Sequence, residues 1–333
     1  MMGIIHALLA FWRSHFFLSL PVPSKPFTGQ TIIVTGSNTG LGLEAARHFV
    51  RLDAAKVVLA VRSQEKGNAA KESIEKSTGR TGVVEVWELD LSNYASVQAF
   101  AARACNELGR LDAVVENAGV LTQDFTMAED NEISITVNVV STFLLALLLV
   151  PKLRETSARL GRATVLTFTG SFVHWITMFP ERKAASILEE TARKERARMM
   201  DRYNVSKLME LLAFREFSAK LSQSSNPGKI ITSILNPGVV VTDLNRDVQK
   251  GIFGIPRRIF MSCVGRTPEE GSRTLVHAAE GAPETQGQYL DDCKVGVVST
   301  FVQSKDGQET QRRLWGELTE KLERIQPGIT DIL

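Results

Sequence analysis

Thr31-Ile32-Ile33-Val34-Thr35-Gly36-Ser37-Asn38-Thr39-Gly40-Leu41-Gly42 is the stretch that decides the fold. Its first five residues are a short β-rich run, the glycines form a loop, and helical spacing follows through Leu52. Gly36 lets the chain turn tightly. Gly40 removes a side chain where the backbone must approach a diphosphate, and Gly42 lets the helix lie against the strand. The helix N-terminus then offers unpaired N–H groups and a partial positive charge. Strand, glycine loop and helix in that order read as a nucleotide-binding element.

Outward from this loop the chain alternates between the strand and helix periods. Strands are expected at 56–61, 83–89, 111–116, 163–168 and 230–235. Helices are expected at 64–77, 92–108, 133–159, 203–222, 268–280 and 309–323, with Ser92 as an N-cap and Pro151 as a kink or break. This rhythm predicts an α/β fold: a Rossmann-type, doubly wound parallel sheet in a single domain with substrate-loop insertions. A chain of 333 residues admits two domains by length alone. The motifs are spread from Gly36 to Thr242, which favours one catalytic domain over 28–333, preceded by an apolar arm over 1–27. Two segments break the rhythm, 172–201 and 243–266. Insertions after sheet strands are where such folds build a ligand crevice, so both are expected to cap the substrate.

Composition narrows the function classes. Apolar residues make up 44% of the chain, ample for a core and inconsistent with disorder. Thirty-nine basic against 37 acidic residues leave a net charge of +2, which gives no footprint for nucleic acid. Cys105, Cys263 and Cys293 neither build a disulfide framework nor have metal-ligand spacing, so no metal is expected and a cytoplasmic, reducing location fits. Residues 1–20 are mostly apolar with Arg13 as the single charge, and Pro21, Pro23 and Pro26 follow. Two readings stay open: an arm packed on the domain or on a partner subunit, or peripheral membrane contact.

Further motifs follow in order: Leu89-Asp90-Leu91 at a strand end, Asn117-Ala118-Gly119 after the next strand, Asn138 in the long helix, Ser171 after the fifth strand, Tyr203-Asn204-Val205-Ser206-Lys207, and Asn236-Pro237-Gly238-Val239-Val240-Val241-Thr242. Together with the TGxxxGxG loop, this set resembles the short-chain dehydrogenase/reductase family. The match runs over residues 31–242. The resemblance implies that Ser37, Asn38, Thr39 and Leu41 join the three glycines of the loop in cofactor binding. It further implies Asp90 and Leu91 beside adenine, Asn117, Ala118 and Gly119 beside the ribose, and Pro237, Gly238, Val240 and Thr242 in the last cofactor turn. The spacing from Ser171 to Tyr203 is similar to the retinol-dehydrogenase-like branch. Phe16-Phe17-Leu18 leading to Pro21-Val22-Pro23 resembles fungal members, which implies secondary metabolism.

The end of the second strand selects the cofactor. Leu59-Ala60-Val61-Arg62-Ser63 carries no acidic residue to accept ribose hydroxyl hydrogen bonds, whereas Arg62 can pair with a 2′-phosphate. NADP(H) is expected, with NAD still open. Tyr203 and Lys207 are four apart and share a helix face. An ammonium beside a phenol lowers its pKa from ~10 toward working pH, so Tyr203 is expected as proton donor or acceptor, and Lys207 contacts the cofactor as well as Tyr203. By the resemblance, Ser171 hydrogen-bonds the substrate oxygen, with Thr169 the alternative if the register slips. Asn138 holds a relay water or else satisfies a neighbouring backbone group. His174 is read as a core or pocket histidine, because no nucleophile elbow accompanies it. Glu116 stands where the family often has Asn.

Phe172, Trp175, Ile176, Met178, Phe179, Ile252, Phe253 and Phe260 in the insertions point to a bulky hydrophobic substrate. The expectation is an NADP(H)-dependent oxidoreductase acting on a ketone, aldehyde or secondary alcohol. The competing classes are a dehydratase or isomerase using Tyr203 as acid/base, and a nucleotide-sensing module without turnover. Homo-oligomers remain open.

Overall fold

The computed structural model describes residues 12–241 and 265–333. The first strand, β1 (Thr31–Thr35), is buried along its whole length. Its side chains alternate as a pleated strand requires: Ile33 enters one apolar cluster, while Ile32 and Val34 enter the other. β1 pairs in parallel with β2 (Lys56–Val61) on one side and β4 (Ala113–Glu116) on the other. Beyond β2 lies β3 (Val84–Glu88). The hairpin β5 (Met127–Ala128) and β6 (Asn131–Glu132) stands apart from this sheet. Beyond β4 come β7 (Thr164–Thr169), β8 (Ile230–Asn236), β9 (Gln288–Asp291) and β10 (Lys294–Val295), giving the order β10-β9-β8-β7-β4-β1-β2-β3. Among the described strands of this sheet, the β9–β10 edge alone is antiparallel. Sequence rhythm missed this edge because the last two strands are short and their connection is tight.

Helices cover both faces. Helices α1 (Gly40–Arg51), α2 (Gln64–Thr78) and, later in the chain, α7 (Pro268–Ala279) bury one apolar cluster. The opposite cluster is filled by α3 (Tyr94–Glu107), α4 (Ile133–Leu160), α6 (Met199–Gln223) and α9 (Lys305–Ile325). In that layer Phe143 stacks on Phe168 at 5.3 Å and meets Trp315 edge-on at 6.2 Å. Two shorter helices are α5 (Ile187–Thr191) and α8 (Thr300–Gln303).

Two local expectations are corrected. The cap of α3 is Asn93, whose side chain accepts from the Ser96 N–H at 2.8 Å, rather than Ser92; the Ser92 hydroxyl instead donates to Asp90. Pro151 does not break α4, which continues to Leu160 with Leu149, Val150 and Leu153 fully buried around it. Packing on both sides outweighs the lost backbone hydrogen bond. The interruption lies earlier, as a π-helical turn over Thr136–Ser141 that apolar periodicity does not reveal. Although α4 is long and apolar enough to cross a membrane, 89% of its most apolar window is buried inside the domain.

The segment 172–201 is compact, with short 3-10 turns and α5 packed against α9 through Glu317. Phe179 belongs to the main core at 1% exposure, so it does not line an open crevice as expected. Of the 243–266 insertion only Gly265 and Arg266 are described, so Ile252, Phe253 and Phe260 lie outside the described residues, as do Thr242 and Cys263. The sheet order reverses between β1 and β4, and the crevice beyond the carboxyl ends of these strands is where such a fold binds a ligand.

Candidate active site

At the carboxyl end of β1 the backbone itself forms the site. Gly36 is left-handed at φ +64°, and a side-chain carbon there would stand 2.9 Å from the Ala118 Cα. At Gly42 it would stand 2.6 Å from both the Asn117 Nδ2 and the Gly36 carbonyl oxygen. The loop and the turn after β4 are thus in backbone contact. Thr35 Oγ1 locks them together by accepting from the Asn117 and Ala118 N–H groups, both at 2.9 Å. Asn117 Nδ2 donates back to the Thr35 carbonyl at 2.8 Å.

Several side chains expected at the cofactor are held by the protein itself. Ser37 is fully buried and its hydroxyl donates to the Val34 carbonyl at 2.8 Å, so its side chain holds the loop from inside. Leu41 packs toward Gly271 of α7. Asn38 is half-buried and Thr39 and Gly40 keep surface at the loop's mouth. No acidic side chain stands in the first turn of α1 to offset the positive helix end. Arg62, exposed just past β2, forms no ion pair among the described residues. Asp90 holds Ser92 through Oδ1, and Leu91 is buried beside it. The last turn is held from behind: Pro237 gives its carbonyl to Arg266, Gly238 is left-handed at φ +82°, and Val240 is buried.

Across the crevice the site is made of side chains. Tyr203 and Lys207 extend from the first half of α6, and Ser171 follows β7 directly. The Ser171 hydroxyl faces the Tyr203 phenol closely enough to pull its pKa down. Lys207 Nζ donates to the Thr169 carbonyl at 2.8 Å and to Glu210 Oε2 at 2.8 Å. Ser171 and Thr169 therefore divide the two registers weighed from the sequence: Ser171 presents its hydroxyl to Tyr203, and Thr169 presents its backbone to Lys207. Gly119 lies beneath them, where a side-chain carbon would be 3.8 Å from Lys207 Nζ. Asn138 sits in the π-turn with its amide fully engaged. Its Oδ1 accepts from Val120 N–H at 2.8 Å, and its Nδ2 donates to the Val120 carbonyl and the Ser206 hydroxyl, each at 2.9 Å. The amide thereby satisfies neighbouring backbone, the plainer of its two expected roles.

Electrostatics here differ from the simple pairing of phenol and ammonium. Burial raises the Tyr203 phenol, Lys207 lowers it, Glu210 raises it again, and the result lies above the ordinary value. Burial opposes the Lys207 charge, but Glu210 and Tyr203 more than restore it. Burial also raises Glu210, against the pull of Lys207. Glu116, at the end of β4, is pushed up to about 8 by burial and then by the charge of Glu210. His174 is buried, with a pKa lowered to about 4 by burial; its Nδ1 meets the Ser171 carbonyl at 2.8 Å rather than the hydroxyl. It is a neutral packing residue, stacked edge-on with Tyr289.

Sequence reasoning missed three participants. Glu210 had a signal: a carboxylate three residues after Lys207 within the apolar run Leu208, Met209, Leu211, Leu212. The Thr169 carbonyl had none, since a backbone atom carries no residue signature. Nor did the particular contacts of the N-terminal arm, whose residues 12–17 are helical and whose packing on the domain was one of the two readings of the sequence. There His15 Nε2 accepts from the Val239 N–H at 3.2 Å, and Arg266 donates to the Ser14 hydroxyl at 2.9 Å. Leu20 and Phe27 are buried on the domain, so the described part of the arm packs beside the last turn; residues 1–11 lie outside the described residues. Among the described residues no His/Cys/Asp/Glu cluster could hold a metal.

The sequence profile of the short chain dehydrogenases matches residues 30–179. A short chain dehydrogenase/reductase of Cryptosporiopsis sp. is 45% identical over 327 residues, covering 97% of this chain and 99% of the relative. A short-chain dehydrogenase of Penicillium roqueforti is 42% identical over 327 residues, covering 96% and 84% respectively. Among solved structures, a putative short chain dehydrogenase of Escherichia coli complexed with NADPH is 25% identical. It superposes with a TM-score of 0.59 over 81% of this chain and 99% of that one.

Proposed function

The chain belongs to the short-chain dehydrogenase/reductase family, and on that premise we propose that it transfers hydride between NADP(H) and a bulky hydrophobic ketone, aldehyde or secondary alcohol. The observation that carries the reading is the meeting of Tyr203, Ser171 and Lys207 across one crevice from the glycine loop. The protein fits the dinucleotide: backbone at Gly36 and Gly42 leaves no room for side chains, and the exposed Arg62, without an ion pair among the described residues, suits a 2′-phosphate. NADP(H), when bound, supplies or accepts the hydride.

The chain's own residues do the rest. Ser171 orients the substrate oxygen, and Tyr203 donates a proton to it in reduction or removes one in oxidation. Lys207 holds a positive charge behind the phenol. Asn138, through its amide, ties the turn after β4 to α4 and α6 and so fixes the floor under Lys207. The exposed Ile176 and Met178 of the 172–201 segment favour an apolar substrate, and resemblance to fungal members favours an intermediate of secondary metabolism.

The test is incubation with deuterium-labelled NADPH and hydrophobic carbonyl compounds. Deuterium is expected at the new carbinol carbon, on one face. Substrate conversion without transfer overturns the redox reading in favour of dehydration or isomerisation.

A further inference from the structure

Four ionisable groups act on one another behind the reacting end of the site: Tyr203, Lys207 and Glu210 on α6, and Glu116 at the end of β4. Lys207 and Glu210 are nearly sealed from solvent at 5% and 2% exposure. Their ion pair is 2.8 Å long, and the Thr169 carbonyl takes a second donor position of Nζ at 2.8 Å. Glu116 is equally enclosed, with Oε2 reached by the Thr35 hydroxyl at 3.4 Å and Oε1 without a hydrogen-bond partner among the described residues. The hydride and proton transfers proposed above account for Tyr203 and Lys207; they leave both carboxyls without a role.

A lone buried ammonium sheds its proton, and a lone ammonium beside a phenol pulls the phenol toward phenolate. A buried carboxylate on the far side of the ammonium changes both tendencies. It keeps Lys207 charged, and it offsets that charge where Tyr203 feels it. We propose that Glu210 is a positioning residue that fixes Lys207 against the Thr169 carbonyl and counterbalances it at Tyr203, so that Tyr203 remains a proton donor and the site is set for carbonyl reduction at neutral pH. This rests on the Tyr203 chemistry proposed above. The shifts run the same way: Glu210 raises the phenol, while Glu116, raised to about 8, remains largely protonated at neutral pH and adds little negative charge of its own.

The chain has three tyrosines, which makes a direct test possible. Burial and Asp130 hold Tyr94 well up, and burial and Asp291 do the same for Tyr289. Tyrosinate absorbance of the unliganded full chain, taken as wild type minus Tyr203→Phe, therefore reads Tyr203. The wild-type step is expected above the ordinary ~10. In Glu210→Gln the forming phenolate itself keeps Lys207 charged, so the step is expected to fall by about one pH unit, and Glu210→Asp, which keeps the charge, is expected to restore it. A Glu210→Gln step at or above the wild-type position overturns the proposal. Should that variant not fold, a wild-type step below ~10 overturns it equally. The titration requires no turnover, so its failure leaves hydride transfer standing, and failure of deuterium transfer leaves the titration readable.

Discussion

The two walls of the crevice are built from different materials. The wall made by β1, α1 and the turn after β4 is backbone against backbone, with glycines where no side chain fits and Thr35 as the lock. The wall made by β7 and α6 is side chain against side chain, with the half-buried Tyr203 and the buried Lys207 and Glu210 on one helix. A backbone wall tolerates change poorly in shape, and none of the contacts just named involves a titrating group; Glu116, at the end of β4, lies beneath Thr35. A wall of buried charges keeps its shape under conservative change and is vulnerable in its protonation.

The largest effect that would break this contrast lies in the second wall. Tyr203→Phe removes one hydroxyl and is expected to lower kcat by ~10²- to 10⁴-fold with little change in fold, checked by steady-state kinetics and thermal melting. Unchanged turnover would remove Tyr203 from the chemistry. Next comes Glu116→Gln. The folded carboxyl is raised to about 8 from its ordinary 4.5. The stability from keeping it neutral is therefore present below 4.5 and lost as pH rises toward 8. Chemical denaturation of wild type at pH 5 and pH 8 is expected to show a drop of a few kcal/mol that the amide variant lacks. Equal slopes would mean that Glu116 ionises freely in the fold.

The first wall answers to shape. Gly42→Ala places a carbon 2.6 Å from Asn117 Nδ2 and the Gly36 carbonyl, a clash expected to destabilise the chain by about 1–3 kcal/mol and weaken nucleotide binding. A variant that melts and binds like wild type would show that the loop and the turn after β4 can part. Arg62→Ala is the mildest. Loss of one charge-assisted contact is expected to reduce preference for NADP(H) over NAD(H) about tenfold, measured by Kd for each. No change in the ratio would place the 2′-phosphate contact elsewhere.

Legibility in the sequence follows the same division. Gly36, Gly42 and the alternating strand β1 are readable because local conformation and close approach restrict residue type directly. Most boundaries shifted by a residue or two, α6 and α9 begin four residues earlier than expected, and the π-turn around Asn138 was hidden because a helix with one extra residue per turn keeps the same apolar composition. The Ser37 side chain, in a loop expected at the ligand, turns inward. From sequence the loop's mouth and its underside are indistinguishable.

Sequence alone determined the sheet-and-helix rhythm, the glycine loop and the pairing of Tyr203 with Lys207, because each depends on neighbours within a few positions. Only the tertiary structure decided that Lys207 meets the Thr169 carbonyl, that Glu116 stands behind it, and that His15 reaches the Val239 N–H across most of the chain. Those contacts join segments far apart in sequence, and the protonation of the site depends on the low-polarity space they enclose together.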